Sequence, residues 1–330
     1  MNSANHSQNG NGLTLEQHER LARVAEMYYE TQLGQSEIAT RMGYSRSMIS
    51  RLLTEARERG IVEVRINHPI QRRLDLESEL KSAFNLAHVR VLAHNSPLYA
   101  EILHRLGIVA ASLIDELVKD EMIVGVSWGV TLAETVSSLR PSPKKGVKVL
   151  QLIGSLGASH HENDGPEIAR RMARAFAGEY EILPAPLVVE SPQAQAALLS
   201  DRHIRQNMLL ARKADLLILG MGSVDSEYSS LLLEGFITKT QMNQLVKRGA
   251  VGDICGLHID HKGKLVESEL VHRTIGIDID SIKKAPLRLG VAGGPAKTAI
   301  INAALRGKII NALVTDEIAA SSVLGMIGKK

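Results

Sequence analysis

The sequence predicts an α/β protein in two parts, an N-terminal helix-turn-helix domain followed by a C-terminal doubly wound, Rossmann-like domain. Three observations predict it. Apolar residues recur at helical spacing through residues 15–59, broken twice by glycine-containing turns. From His88 onward short apolar runs alternate with helical segments, the pattern of a parallel sheet with crossover helices. Several of those runs end in glycine-rich turns, where a following helix presents N–H groups to an anion. At 330 residues the chain is long enough for two or three domains with a substantial core.

Residues 1–14 open with MNSANHSQNGNG, polar and aperiodic, and read as a disordered tail. Between Leu15 and Tyr29 the residues Leu21, Ala22, Val24, Ala25 and Tyr28 share a helix face, and Leu33-Gly34 breaks the pattern. A short helix, Gln35 to Met42, follows with Ile38, Ala39 and Met42 on one side; Gly43 stops it. Ser45 is a good N-cap for a helix running to Arg59, whose stripe is Ile49, Leu52, Leu53 and Ala56. After Gly60, VEVRI over 62–66 alternates as a strand would, closing a domain at 15–66. Asn67-His68-Pro69 then begins a linker placed at 67–73.

Two helices joined by a tight turn leave the second free to enter a DNA major groove. The packed stripe turns Arg46, Ser47, Ser50, Arg51 and Thr54 outward; with Gln35 and Ser45 these are the candidate contacts to operator DNA. Arg suits bidentate contact with guanine, and Ser donates or accepts. Between Arg41 and Arg59 five Arg stand against two Glu, a local +3 within a chain whose formal net charge is also only +3. The DNA reading therefore rests on this local face, not on the total.

The C-terminal domain is placed at 74–330. A helix is expected over Leu74 to Phe84, then HVRVLA as a strand, a helix from about Leu98 to Leu117, MIVGVSW, and a helix near Val130 to Leu139. VKVLQLIGSL, a helix over Glu167 to Phe176, EILPAPLVV, and helices around Pro192 to Ala214 come next. DLLILGMGSV, the single strand candidate VGDICGLHID, LRLGVAGG with a helix over Pro295 to Leu305, and NALVTD with a helix over Glu317 to Met326 complete it. In such sheets ligands bind outside the carboxyl ends of the strands. The turns there offer Gly154, Ser155 and Gly157, Gly220 and Gly222, and Gly293 and Gly294 for close backbone approach. Asp253 could accept from hydroxyls, and Lys297 could supply charge to a phosphate. The set suits a small, polyhydroxylated anion such as a phosphorylated sugar or polyol.

Other readings are weaker. GVSWG, Gly125 to Gly129, fits the G-x-S-x-G nucleophile elbow, with Ser127 as nucleophile. Only one convincing strand precedes it in its domain, and residues 74–121 hold no glycine-rich loop for an oxyanion hole. The cluster His160, His161, Glu162, Asp164 contains metal-ligand types, but adjacent His residues point apart, so no metal or other cofactor is expected. His258, His261 and His272 read as hairpin-surface residues, and Trp128 as core filler or a stacking surface for a sugar. With Cys255 the single cysteine, no leader and no bilayer-length apolar run, a cytoplasmic protein without membrane contact is expected.

Taken in order, QSEIATRMGYSRSMISRLLTEARERGIVEVRI, VGVSWGVTL, QLIGSLGA, GAVGDICG and LRLGVAGGPAK resemble the SorC family of sugar-responsive transcription regulators, from about Leu15 to Leu324. The resemblance implies an effector domain of the kind shared with sugar-phosphate isomerases and deaminases, a phosphorylated sugar as ligand, and dimers or tetramers on DNA. It also implies a phosphate cradle at Ser127, Gly129 and Thr131, and a ligand-facing acid and base at Asp253 and Lys297. The loop SHHENDG (159–165) departs from the family pattern, so ligand identity is not carried over. The alternative is a sugar-phosphate isomerase- or deaminase-like enzyme fused to a DNA-binding module; fold alone does not imply turnover.

Overall fold

The structure, a computed structural model, describes residues 15–62, 70–93, 99–157 and 161–327. It divides into two compact units, residues 1–69 and 70–330. The strand expected over 62–66 falls almost wholly outside the described residues, as do residues 67–69 of the expected linker.

In the smaller unit α1 (Leu15–Ala25) continues into a single π-helical turn, Glu26–Glu30. Helices α2 (Gln35–Met42) and α3 (Arg46–Glu58) follow. Leu21, Val24, Ile38, Ile49, Leu52, Leu53 and Ala56 are buried together, so the three helices share one core. Gly43 ends α2 at φ +69, left-handed backbone that glycine adopts without a Cβ clash. Ser45 then caps α3, its Oγ accepting from the Met48 N–H at 3.2 Å.

The larger unit begins with α4 (Leu74–Phe84), β1 (His88–Leu92), α5 (Tyr99–Leu117), β2 (Ile123–Val126), α6 (Val130–Ser138) and β3 (Lys148–Gln151). Next come α7 (Gly165–Phe176), β4 (Glu179–Glu181), α8 (Pro192–Ser200), α9 (Arg202–Ala211) and β5 (Leu216–Ser223). The remainder is α10 (Ser230–Leu233), α11 (Lys239–Lys247), β6 (Ala250–Ile254), β7 (Leu257–Asp260), α12 (Ile279–Lys284), β8 (Leu287–Val291), α13 (Thr298–Arg306), β9 (Ala312–Asp316) and α14 (Glu317–Gly325). The main sheet runs β1-β9-β8-β5-β2-β3-β4 with every neighbour pair parallel. From β2 the chain winds outward through β3 and β4, then returns to β5 and winds the other way. The switch point therefore lies between β2 and β5, where a doubly wound sheet opens a crevice. Gly107 lets α5 and α6 touch, since a Cβ there would lie 2.8 Å from the Glu134 carbonyl carbon.

Three expectations change. Residues 70–73, expected in the linker, belong to the larger unit: the Arg73 N–H donates to the Val91 carbonyl at 2.9 Å and Arg72 bridges Leu92, covering the open edge of β1. EILPAPLVV is not a strand; β4 ends at Glu181 because Pro184 and Pro186 lack N–H donors, and only isolated bridges follow at Pro186 and Val188. VGDICGLHID is a hairpin, not one strand: Cys255 (φ +54) and Gly256 (φ +75) reverse the chain between β6 and β7. Its first strand pairs antiparallel with Met221–Ser223, the outer end of β5.

Candidate functional site

On α3, Arg46, Ser47, Ser50, Arg51 and Thr54 are exposed, opposite the buried stripe. Ser45 Oγ lies 3.0 Å from Ser47 Oγ, and the Thr54 hydroxyl donates to the Ser50 carbonyl at 3.1 Å. Arg41 and Arg59 are paired, with Glu37 at 2.9 Å and Glu55 at 2.8 Å. Arg46 and Arg51 have no ion pair among the described residues, so their guanidinium donors are open to phosphate or base edges. Gln35 is half-buried at the first position of α2, where backbone N–H groups face outward from the helix start.

In the larger unit a cavity of about 170 Å³ lies at the carboxyl ends of β2 and β5, the switch point of the sheet. Ser127, Trp128, Gly129 and the first turn of α6, including Thr131, form one wall. Gly129 caps α6 at φ +113, and its N–H donates to the Asn163 carbonyl at 3.1 Å. The next N–H groups, of Val130 and Thr131, precede any intrahelical acceptor and carry the positive end of the helix dipole. Ser127 is almost wholly buried. Its Oγ accepts from the Gly220 N–H at 3.0 Å and its own N–H donates to Ile218, tying β2 to β5. Among the described residues no acceptor takes the hydroxyl proton, and Ser127 lines the cavity.

Asp253 on β6 and Lys297, in the 3₁₀ turn Pro295–Lys297, face the same space, each only 7% exposed. Burial pushes the Lys297 ammonium below its ordinary range, and the nearby Asp253 carboxylate opposes the shift. No carboxylate contacts that ammonium among the described residues. A buried cation without a contacting anion is costly, and an anionic ligand relieves it. Asp253 accepts from the Gly256 N–H at 3.2 Å, and a Cβ at Gly222 would overlap its carboxylate, so glycine is required there. Tyr99 and Tyr228 meet edge to face with centroids 5.4 Å apart, beside Glu227, Leu103 and Leu233. Burial, with Tyr228 and Asp316 adding to it, pushes the Tyr99 hydroxyl up to about 12, so it stays a neutral donor. The volume lies below the roughly 300–1,000 Å³ of drug-sized pockets, which fits a single small metabolite.

Ser127, Gly129, Thr131, Asp253 and Lys297 come together as the sequence suggests. Ser155, Gly157, Gly293 and Gly294 do not line the cavity. Ser155 is held in the scaffold, its N–H on the Ala185 carbonyl and its hydroxyl accepting from Gln151 at 3.3 Å. Gly157 is exposed at φ +98. Gly293 and Gly294 sit behind Lys297, the Gly294 N–H donating to Asp316. Trp128 is both core and lining. His258, expected on the surface, is buried because β7 folds back beneath β6, opposite Asp253; His261 and His272 are exposed. His160 lies outside the described residues, and Asp164 caps α7, accepting from Leu156 and Gly165 at 2.9 and 2.7 Å. No metal-binding cluster occurs among the described residues. Tyr99, Glu227 and Tyr228 also line the cavity, unexpected from the sequence. Tyr99 opens the helix that follows β1 and could have been found from the carboxyl-end rule; Glu227 and Tyr228 sit in an irregular loop with no local signal.

Residues 68–325 match the family described as "Putative sugar-binding domain". The chain is 33% identical over 301 residues to the deoxyribonucleoside regulator of Bacillus subtilis (strain 168), covering 91% of this chain and 96% of that protein. It is also 33% identical over 309 residues to transcriptional regulator LsrR of Escherichia coli (strain K12), covering 93% and 94%. The crystal structure of the full-length sorbitol operon regulator SorC from Klebsiella pneumoniae aligns with a TM-score of 0.71 at 28% identity, over 94% of this chain and 99% of that one. Fold and site thus define a class, a helix-turn-helix reader joined to an α/β sugar-binding domain. The chain belongs to the sugar-binding-domain family of SorC-type transcription regulators.

Proposed function

We propose that the protein controls a carbohydrate or polyol catabolic operon, binding operator DNA through α3 under the control of a phosphorylated sugar or polyol in the cavity. This reading rests on Lys297, a buried cation that no carboxylate contacts among the described residues and that lines the same cavity as the N-terminal turn of α6. Phosphate is held by the Val130 and Thr131 N–H groups, the Thr131 and Ser127 hydroxyls and Lys297; Asp253 accepts from sugar hydroxyls. The carbon skeleton lies against Trp128 and Tyr99. The relatives' names speak of a deoxyribonucleoside and of sorbitol, consistent with small carbohydrates as a class.

The site senses and does not turn over its ligand. Ser127 Oγ accepts from the backbone N–H of Gly220, whereas a nucleophile needs an adjacent base. The protein acts in the cytoplasm as a dimer or tetramer, because paired half-sites need paired readers. A thermal-shift panel of sugar phosphates beside their unphosphorylated forms tests the ligand class. A phosphorylated member present at about 100 times its dissociation constant adds about 2.7 kcal/mol. Stabilisation by neutral sugars alone contradicts the assignment.

A further inference from the structure

Asp316, the last residue of β9, is fully buried, and no cation pairs with its carboxylate among the described residues. Backbone N–H groups meet the charge instead. Oδ1 accepts from Ile318 at 2.9 Å and Ala319 at 3.2 Å, the first turn of α14, while Oδ2 accepts from Gly294. Gly293 packs on the same oxygen, where a Cβ would come within 2.6 Å. Gly294 opens the turn that ends at Lys297, whose N–H donates to the Gly294 carbonyl at 3.1 Å. One carboxylate therefore holds both the Lys297 turn and the start of α14.

The next residue, Glu317, is ion-paired with Arg73. Arg73 also grips Asp75 at 2.6 Å, and its N–H is fixed on Val91. Residues 71–73 lie in the first stretch of the larger unit, which begins at Ile70 and follows the DNA-reading unit in the chain.

We propose that Asp316 and Glu317 are a relay: Asp316 positions the Lys297 turn, and Glu317, in the same first turn of α14, transmits its displacement to residues 71–73. The proposal rests on the cavity being the ligand site. A ligand gripping Lys297 pulls on Gly294 and so on Asp316. Helix α14 moves as a rigid piece, and Arg73 follows Glu317. Coupling of this kind requires contiguous elements biased by both ends, and here a backbone clamp and an ion pair share two adjacent residues.

Hydrogen–deuterium exchange on the full chain, without ligand or DNA, tests it. Asp316→Asn puts an amide where two acceptor oxygens stood, so either orientation loses a bond. Exchange should rise about tenfold both in 291–298 and at 71–73, with 250–258 unchanged. Gly294→Ala, strained at φ +87 and 3.0 Å from the Tyr99 ring, should give the same two-ended pattern, and decides the matter if Asp316→Asn fails to fold. Adding Glu317→Gln to Gly294→Ala should leave 291–298 fast and make 71–73 insensitive to the Gly294 change. Acceleration confined to 291–298, or none, overturns the relay. A thermal-shift panel without any sugar-phosphate response would instead overturn the ligand reading and leave these rates as measured.

Discussion

Lys297 is the residue on which the proposed phosphate binding in the cavity depends most directly. Truncation as Lys297→Met should cost sugar phosphates about 1.5–3 kcal/mol, the range for a hydrogen bond to a charged group, and leave neutral sugars little changed. The unliganded protein should not lose stability, because a buried charge without a contacting counterion is removed. The sign of the pH effect follows from burial. The folded pKa of Lys297 is lowered, so between that value and the unfolded one near 10.5 the unfolded chain binds more protons and stability rises with pH. Phosphate affinity runs the other way, falling as Lys297 loses its proton; calorimetric titration across pH, with Lys297→Met giving a flat limb, checks this. Ser127→Ala should destabilise by about 1–3 kcal/mol in thermal melts, since it orphans the Gly220 N–H. Ser127, Asp253 and Lys297 were legible as residue types at strand ends. The roles of Gly293 and Gly294 were not, because nothing local announces that Asp316, distant in sequence, takes up the Gly294 N–H.

At the scale of elements, periodicity carried the helices. Ser45, Gly43 and the stripe of α3 fall as expected because local capping and one shared core agree. Ser45→Ala should cost the smaller unit about 1 kcal/mol, read as a lower midpoint of its unfolding transition. Gly107→Ala should destabilise the larger unit by about 1–3 kcal/mol, since the new methyl meets the Glu134 backbone and α5 must shift from α6. The β6–β7 hairpin was illegible for a physical reason: Cys255 occupies left-handed backbone that its type seldom adopts, so the turn lacks the usual Asn-Gly signal. Residues 70–73 were likewise read as linker, since pairing to the edge of β1 is a tertiary event.

For the whole molecule the sheet order matters most. Reversal of winding between β2 and β5 opens the crevice; Ser127 follows the last residue of β2, and Gly220 and Gly222 lie in the carboxyl-terminal half of β5, so all three line it. The DNA-reading helices form a separate core, so ligand control requires that the effector bind one arrangement of the protein better than another. Arg51→Ala should weaken operator binding by about 1–3 kcal/mol if it reads a base, or mainly lower the salt dependence if it holds a phosphate. The most direct measurement is the affinity of the full-length protein for labelled DNA from its own upstream region, by fluorescence anisotropy, with and without each sugar phosphate. A phosphorylated sugar should shift that affinity by about 5–150-fold, its unphosphorylated form should not, and Lys297→Met should bind the DNA but lose the response. An affinity indifferent to every sugar phosphate, or a Lys297→Met variant that responds like the wild type, would contradict the proposed function.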